Sequence, residues 1–197
     1  MYIEKGRLNC GPAAFINLVG IKGNKKIEDR LARAGKLHPF KISDYTSFLV
    51  WAKKYNFPIE VYTSSKKLNN KIFKYMFFKE EIPKKLQPMY KKEGLKLFKK
   101  RNKQLGKKIH FLKDPIKKID ELLSKRYRIA IGTSNAYLKN SKSKSLHWIV
   151  AFNKFKSKYY FMDPGKGITL STKRLLKKSF SISKLKGFNP QIIAYKK

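Results

Sequence analysis

The spacing of apolar residues changes partway along this chain, and that change restricts its fold more than any other feature. Up to about residue 124 apolar side chains recur mostly at helical intervals; from residue 128 they come in short unbroken runs. Gly11 to Val19 reads GPAAFINLV, with Pro12 suited to a first helical turn, and predicts a short buried helix starting at Cys10 or Gly11. Gly20 and the Gly23-Asn24 pair end it. Residues 25–35 form a second helix, stopped by Gly35. Ser43 is the expected cap of a third, with Tyr45, Phe48, Leu49 and Ala52 at helical spacing. Ile59-Glu60-Val61-Tyr62 interrupts as a strand, and a helix over Ile116–Leu123 closes this half.

The second half reads as strands at 128–133, 147–152 and 159–162, with a polar turn over Asn153–Ser157. Gly165 and Gly167 allow a further turn. A surface helix at 172–179 and a strand at 191–195 follow. Helices first and antiparallel strands last predict an α+β fold, N-terminal helices packed on a C-terminal antiparallel sheet. Residues 1–197 read as one domain with a basic, helical insertion at about 64–112. Within it, residues 66–108 hold 16 Lys or Arg against three Glu, a net charge of +13. Apolar residues recur there at helical spacing, which predicts amphipathic helices broken near Pro83 and Pro88.

The whole chain carries 48 Lys and Arg against 12 Asp and Glu, a formal charge of +36. Such a field attracts polyanions without specificity. Only seven of the 48 are Arg, the residue preferred for bidentate phosphate recognition, so specific nucleic-acid reading is disfavoured. A single cysteine, Cys10, excludes an internal disulfide. The first ten residues lack the apolar run of a signal peptide, and no stretch is long and apolar enough to span a membrane. The expectation is a cytoplasmic protein. One Cys and three scattered His match no metal-ligand spacing, and no cofactor motif stands out.

Cys10 is where chemistry can reside. A thiol attacks as thiolate, which a helix N-terminus and an imidazolium neighbour both stabilise. Gly11 and Pro12 supply the helix start. Taken alone, Cys10 reads as a small buried hydrophobe. His147, however, opens the run His147-Trp148-Ile149-Val150-Ala151-Phe152, and sixteen residues later the next run ends in Met162-Asp163-Pro164. If these strands pair as a hairpin, the start of one lies beside the end of the other. Asp163 would then orient the imidazole from the side away from the thiol. Asp163 alone is a common turn residue before Pro, although Asp occurs only five times here.

Asn9-Cys10-Gly11-Pro12-Ala13-Ala14 resembles the C-G-P-A segment of the C39-like cysteine peptidases, a branch of the papain-like superfamily. The His-led strand and the strand ending in Asp163-Pro164 are similar to that family's second half. The two helices and strand over 26–62 fit it too. The resemblance covers most of the chain outside 64–112 and the last thirty residues. It implies a papain-like cysteine peptidase fold and catalysis by Cys10, His147 and Asp163. It also marks a departure: the family's oxyanion Gln, about six residues before the Cys, is here Glu4. An ionised carboxylate would repel the developing charge, and removing one oxyanion donor costs on the order of 10²–10³ in rate. A protonated Glu4, or Asn9 or Lys5 beside the Cys10 backbone N–H, could replace it; otherwise activity is weak.

Two functions follow. The first is a cysteine peptidase or amidase acting on peptide or protein substrates, acidic ones included, through a thioester acyl-enzyme; an amine or thiol acceptor would make it an acyl transferase. The second is a catalytically impaired papain-like module whose basic surface binds nucleic acid or another polyanion.

Overall fold

The computed structural model describes residues 1–4, 9–105, 109–141 and 145–196. Seven α-helices and a seven-stranded sheet make a mixed α+β architecture of these residues. Three helices come first: α1 (Cys10–Val19), α2 (Lys25–Gly35) and α3 (Tyr45–Tyr55). Helix α1 is buried from Gly11 to Val19 and ends at Gly20 with φ +74°, a conformation glycine takes at no steric cost. The Asn24 side chain accepts from the Ile27 N–H to start α2.

The cap of α3 is Asp44, not Ser43. Asp44 Oδ1 accepts from the Ser47 N–H at 3.1 Å, and the Ser47 hydroxyl accepts from the Asp44 N–H at 3.1 Å. This reciprocal box needs a partner three residues on, and Ser47 stands in that place for Asp44.

The basic segment folds as α4 (Asn70–Lys79), a 3₁₀ turn at Lys84–Leu86 and α5 (Gln87–Leu105). Pro83 precedes the turn as predicted. Pro88 breaks nothing, because it lies in the first turn of α5, where a missing N–H costs no hydrogen bond. Ile72, Phe73, Met76 and Phe98 join the same apolar cluster as α1 and α3. Arg101 donates to the carbonyls of Gly35 at 2.6 Å and Lys36 at 3.1 Å, which satisfies the end of α2.

The strands are β1 (Ile59–Thr63), β2 (Ile109–Phe111), β3 (Tyr127–Ser134), β4 (Leu146–Phe155), β5 (Lys158–Asp163), β6 (Gly167–Thr172) and β7 (Gln191–Lys196). Their spatial order is β2-β1-β7-β3-β4-β5-β6, with β1 and β2 parallel and every other neighbouring pair antiparallel. The sheet is therefore not drawn from the second half alone: β1 lies between β2 and β7. Strand β4 continues through residues 153–155, expected as turn, and the reversal narrows to Lys156 and Ser157.

Helices α6 (Pro115–Ser124) and α7 (Lys173–Leu185) cover a second face. There Ile116, Ile119, Leu122, Leu176 and Phe180 pack with Ile129, Ile131, Ile149 and Phe161. The other cluster holds α1 to α5 with Val150, Trp148 and Ile193. The sheet thus has helices on both faces, because its strands alternate apolar residues toward each side. No helix among the described residues is long and apolar enough to cross a membrane.

Behind α1, Trp51 is fully buried against Phe15 and Phe48, with ring centroids 5.4 and 5.1 Å away. Its indole N–H donates to the Leu31 carbonyl at 2.7 Å. A Cβ on Gly35 would come within 2.0 Å of that nitrogen. Gly35→Ala is expected to lower stability by about 1–3 kcal/mol through overpacking. Urea denaturation checks it; an unchanged midpoint would contradict this packing.

Candidate active site

Cys10 is the first residue of α1, whose N-terminal amides carry partial positive charge. The Asn9 carbonyl accepts from the Ala13 N–H at 3.1 Å and fixes the entry to the helix. The Asn9 side-chain amide donates to Glu28 Oε1 at 2.5 Å, and the Tyr2 hydroxyl donates to Glu28 Oε2 at 2.8 Å. The buried Glu28 on α2 thereby ties the chain before Cys10 in place. Lys5 lies outside the described residues.

His147 is on β4, paired with Thr133 of β3, and Asp163 ends β5, paired with Gly167 of β6. The β4–β5 hairpin forms as anticipated, with Val150 opposite Met162. His147 Nε2 lies 2.9 Å from Asp163 Oδ1, and the two side chains are 12% and 1% exposed. Cys10 lines the same cleft as this imidazole and lies close enough to bear on its charge. With Nε2 facing Asp163, the other ring nitrogen, Nδ1, is left for the thiol. The structure thus brings Cys10, His147 and Asp163 together from two strands and a helix.

Burial works against a charged His147, but the hydrogen bond to Asp163 and the charges of Asp163 and Cys10 outweigh it and push its pKa up to about 10. Burial also opposes ionisation of Asp163. The hydrogen bond and charge of His147, with Tyr137 and the Gly165 N–H, overcome that and hold its carboxyl below the usual range. Gly165 N–H donates to Oδ1 at 2.7 Å, and the buried Tyr137 hydroxyl donates to Oδ2.

Glu4 donates its backbone N–H to the Pro164 carbonyl at 2.8 Å. Its carboxyl lies near the other acid: a Cβ on Gly165 would be 3.5 Å from Asp163 Oδ1 and 3.9 Å from Glu4 Oε1. Glu4 Oε2 is buried with no hydrogen-bond partner among the described residues. Burial pushes this carboxyl's pKa up, against the pull of His147, and the charges of Glu28 and Asp163 add to the rise. Lys36, half-buried at the end of α2, is pushed down by burial and drawn back up by the charge of Cys10.

A cleft of about 60 Å³ opens beside Cys10 and His147, with Trp148, Tyr75 and Phe188 among its walls. The Trp148 indole donates to the Ser43 carbonyl at 3.0 Å and stacks near Phe48 at 4.5 Å. The Tyr75 hydroxyl accepts from the Leu146 N–H at 3.1 Å, next to His147 in sequence. Sequence reasoning missed Tyr137, Tyr75, Ser43 and Glu28. No local signal distinguishes these from ordinary core or turn residues, since each reaches the site through a distant partner. No group of three or more His, Cys, Asp or Glu side chains suited to a metal occurs among the described residues.

No protein-family model matches the sequence, and no similar curated protein is found. Among solved structures, the crystal structure of the Pseudomonas avirulence protein AvrPphB aligns over 96% of this chain and 90% of its own, at 8% identity and a TM-score of 0.29. A likeness that low assigns neither fold nor function, so the chemistry has to be argued from the side chains themselves.

Because Asp163 favours the charged imidazole, Asp163→Asn is expected to lower the His147 midpoint from about 10 by ~1–3 units. NMR titration of the ring nitrogens reads this directly. A midpoint that stays put would mean that Asp163 does not govern the histidine.

Proposed function

We infer that this chain is a cysteine-type acyl hydrolase, a peptidase or amidase on a papain-like scaffold, with Cys10 as nucleophile, His147 as proton carrier and Asp163 as the residue that orients it. One observation carries the reading: a single imidazole engages a buried carboxylate through one nitrogen and shares a cleft with the only thiol of the chain, whose charge bears on it. A structural cysteine has no need of such a partner.

In this mechanism His147 holds the proton that the thiol gives up. The thiolate forms a C–S bond to a substrate carbonyl, and the electron pair of the C=O moves to oxygen. Collapse of that intermediate breaks the C–N bond as His147 delivers its proton to the leaving amine. Water, deprotonated by His147, then releases the acid and restores the thiol. Asp163 and Tyr137 keep the ring in one orientation throughout. The Cys10 backbone N–H is one donor to the oxyanion, and Glu4 in its protonated form is the second. The elevated pKa and unpartnered Oε2 of Glu4 support that role.

The alternative, a polyanion-binding module of weak activity, draws on the +36 charge and on Glu4 in place of an oxyanion Gln. It predicts salt-sensitive binding that survives Cys10→Ala.

An activated ester such as p-nitrophenyl acetate tests the reading. The expected result is a burst of about one equivalent, with the acetyl group located on Cys10 by mass spectrometry. His147→Ala is expected to slow it by ~10²-fold or more. Acetylation confined to lysines, with Cys10 unmodified, would overturn the assignment.

Glu4 gives a second outcome. If only its neutral form stabilises the oxyanion, wild-type kcat/KM falls as pH rises through the Glu4 pKa. Glu4→Gln, which cannot ionise, should hold its rate there and exceed wild type by about tenfold or more on the alkaline side. Parallel pH profiles for the two proteins would remove Glu4 from the oxyanion site.

A further inference from the structure

Helix α4 belongs to the basic segment and carries none of the triad, yet two of its side chains, Tyr75 and Lys79, wall the cleft beside the thiol. Ile42, Trp148 and Phe188 make the wall apolar. At about 60 Å³ the space is well under the roughly 150 Å³ that accepts a benzene ring. It fits a side chain of a few methyl groups and excludes an aromatic one.

Two polar groups in this wall are unused. Ser43 is 7% exposed, and its hydroxyl is buried with no hydrogen-bond partner among the described residues. A Cβ on Gly11 would stand 2.5 Å from both Cβ and Oγ of Ser43, so this hydroxyl lies against the residue that follows Cys10. A buried hydroxyl left unpaired is unfavourable, and a ligand that pairs with it removes that cost. Lys79 is half-buried and forms no ion pair with any described carboxylate.

We propose that this cleft selects a peptide whose attacked carbonyl follows a small aliphatic side chain, Ala to Val in size, next to an acidic residue that pairs with Lys79. The Ser43 hydroxyl hydrogen-bonds the peptide backbone. The basic segment is thus a wall of the site as well as a charged surface. The proposal builds on Cys10 as the attacking atom, but the selection itself needs only that Cys10 be reachable from the cleft.

Peptidyl chloromethyl ketones test it at pH 9, where an ordinary thiol is also ionised in good part. The thiolate displaces chloride and forms a C–S bond, and chloride leaves with its electron pair. Acetyl-Glu-Ala and acetyl-Glu-Val probes are expected to alkylate Cys10 at least about tenfold faster than acetyl-Glu-Phe. The acetyl-Glu-Ala probe should react about fivefold faster than acetyl-Gln-Ala at low salt. Lys79→Met should bring that second ratio to about 1. Ser43→Ala, which leaves the carbonyl bound to Trp148 intact, should slow both Ala probes by about fivefold relative to iodoacetamide. Equal rates for the Phe and Ala probes, or a Glu preference that survives Lys79→Met, would overturn the proposal. Loss of the ester burst with this selectivity retained would sink the acyl-hydrolase reading and leave the cleft as assigned.

Discussion

A carboxylate buried at the end of a sheet is tolerated only when its charge is answered, and the architecture around Asp163 is arranged to answer it. Its donors come from three places in the chain. His147 approaches from β4, Tyr137 from the turn that follows β3, and Gly165 from the turn that leads into β6. Each donor needs the β3–β4–β5–β6 register to be where it is. A slip of one residue would turn these side chains to the opposite face and leave a buried charge unpaired. The sheet and the acid therefore specify one another.

Cys10 reaches this point by a different route. Helix α1 is buried along nearly its whole length, so packing on both the sheet and α2 and α3 fixes its axis. Glu28, held by Tyr2 and Asn9, pins the residues just before the thiol. Gly11 lets Ser43 come close, and Trp148 reaches across to the Ser43 carbonyl. The same contacts that stabilise the helix–sheet interface thus set the distance between thiol and imidazole. The α4 wall adds a boundary to the cleft that the contacts among Cys10, His147 and Asp163 do not need.

Much of this was legible locally. Gly20, the Gly23-Asn24 pair and the Gly35 stop gave the bounds of α1 and α2, and the unbroken apolar runs located β3, β4 and β5. The His147–Asp163 juxtaposition followed from assuming one hairpin, while Cys10 joined them through its place at a helix start and through the resemblance. What lay beyond the sequence was non-local. Strand β1 sits beside β7, more than a hundred residues away, and pairs in parallel with the three-residue β2. Strand β6, GITLST, alternates too weakly to stand out from a turn. Pro88 looked like a break because proline signals a boundary, but not on which side of it the helix lies. Tyr137 and Ser43 acquire their roles only through partners 26 and 105 residues distant.

The central claim is that His147 activates Cys10. The most direct test is the rate of alkylation by iodoacetamide as a function of pH, on the wild type and on His147→Ala, with the site of labelling confirmed as Cys10. The account predicts labelling that persists well below pH 8 in the wild type and retreats in His147→Ala to the titration of an ordinary thiol, near pH 8.5. Identical profiles in the two proteins, both following an ordinary thiol, would contradict it and leave Cys10 a structural residue.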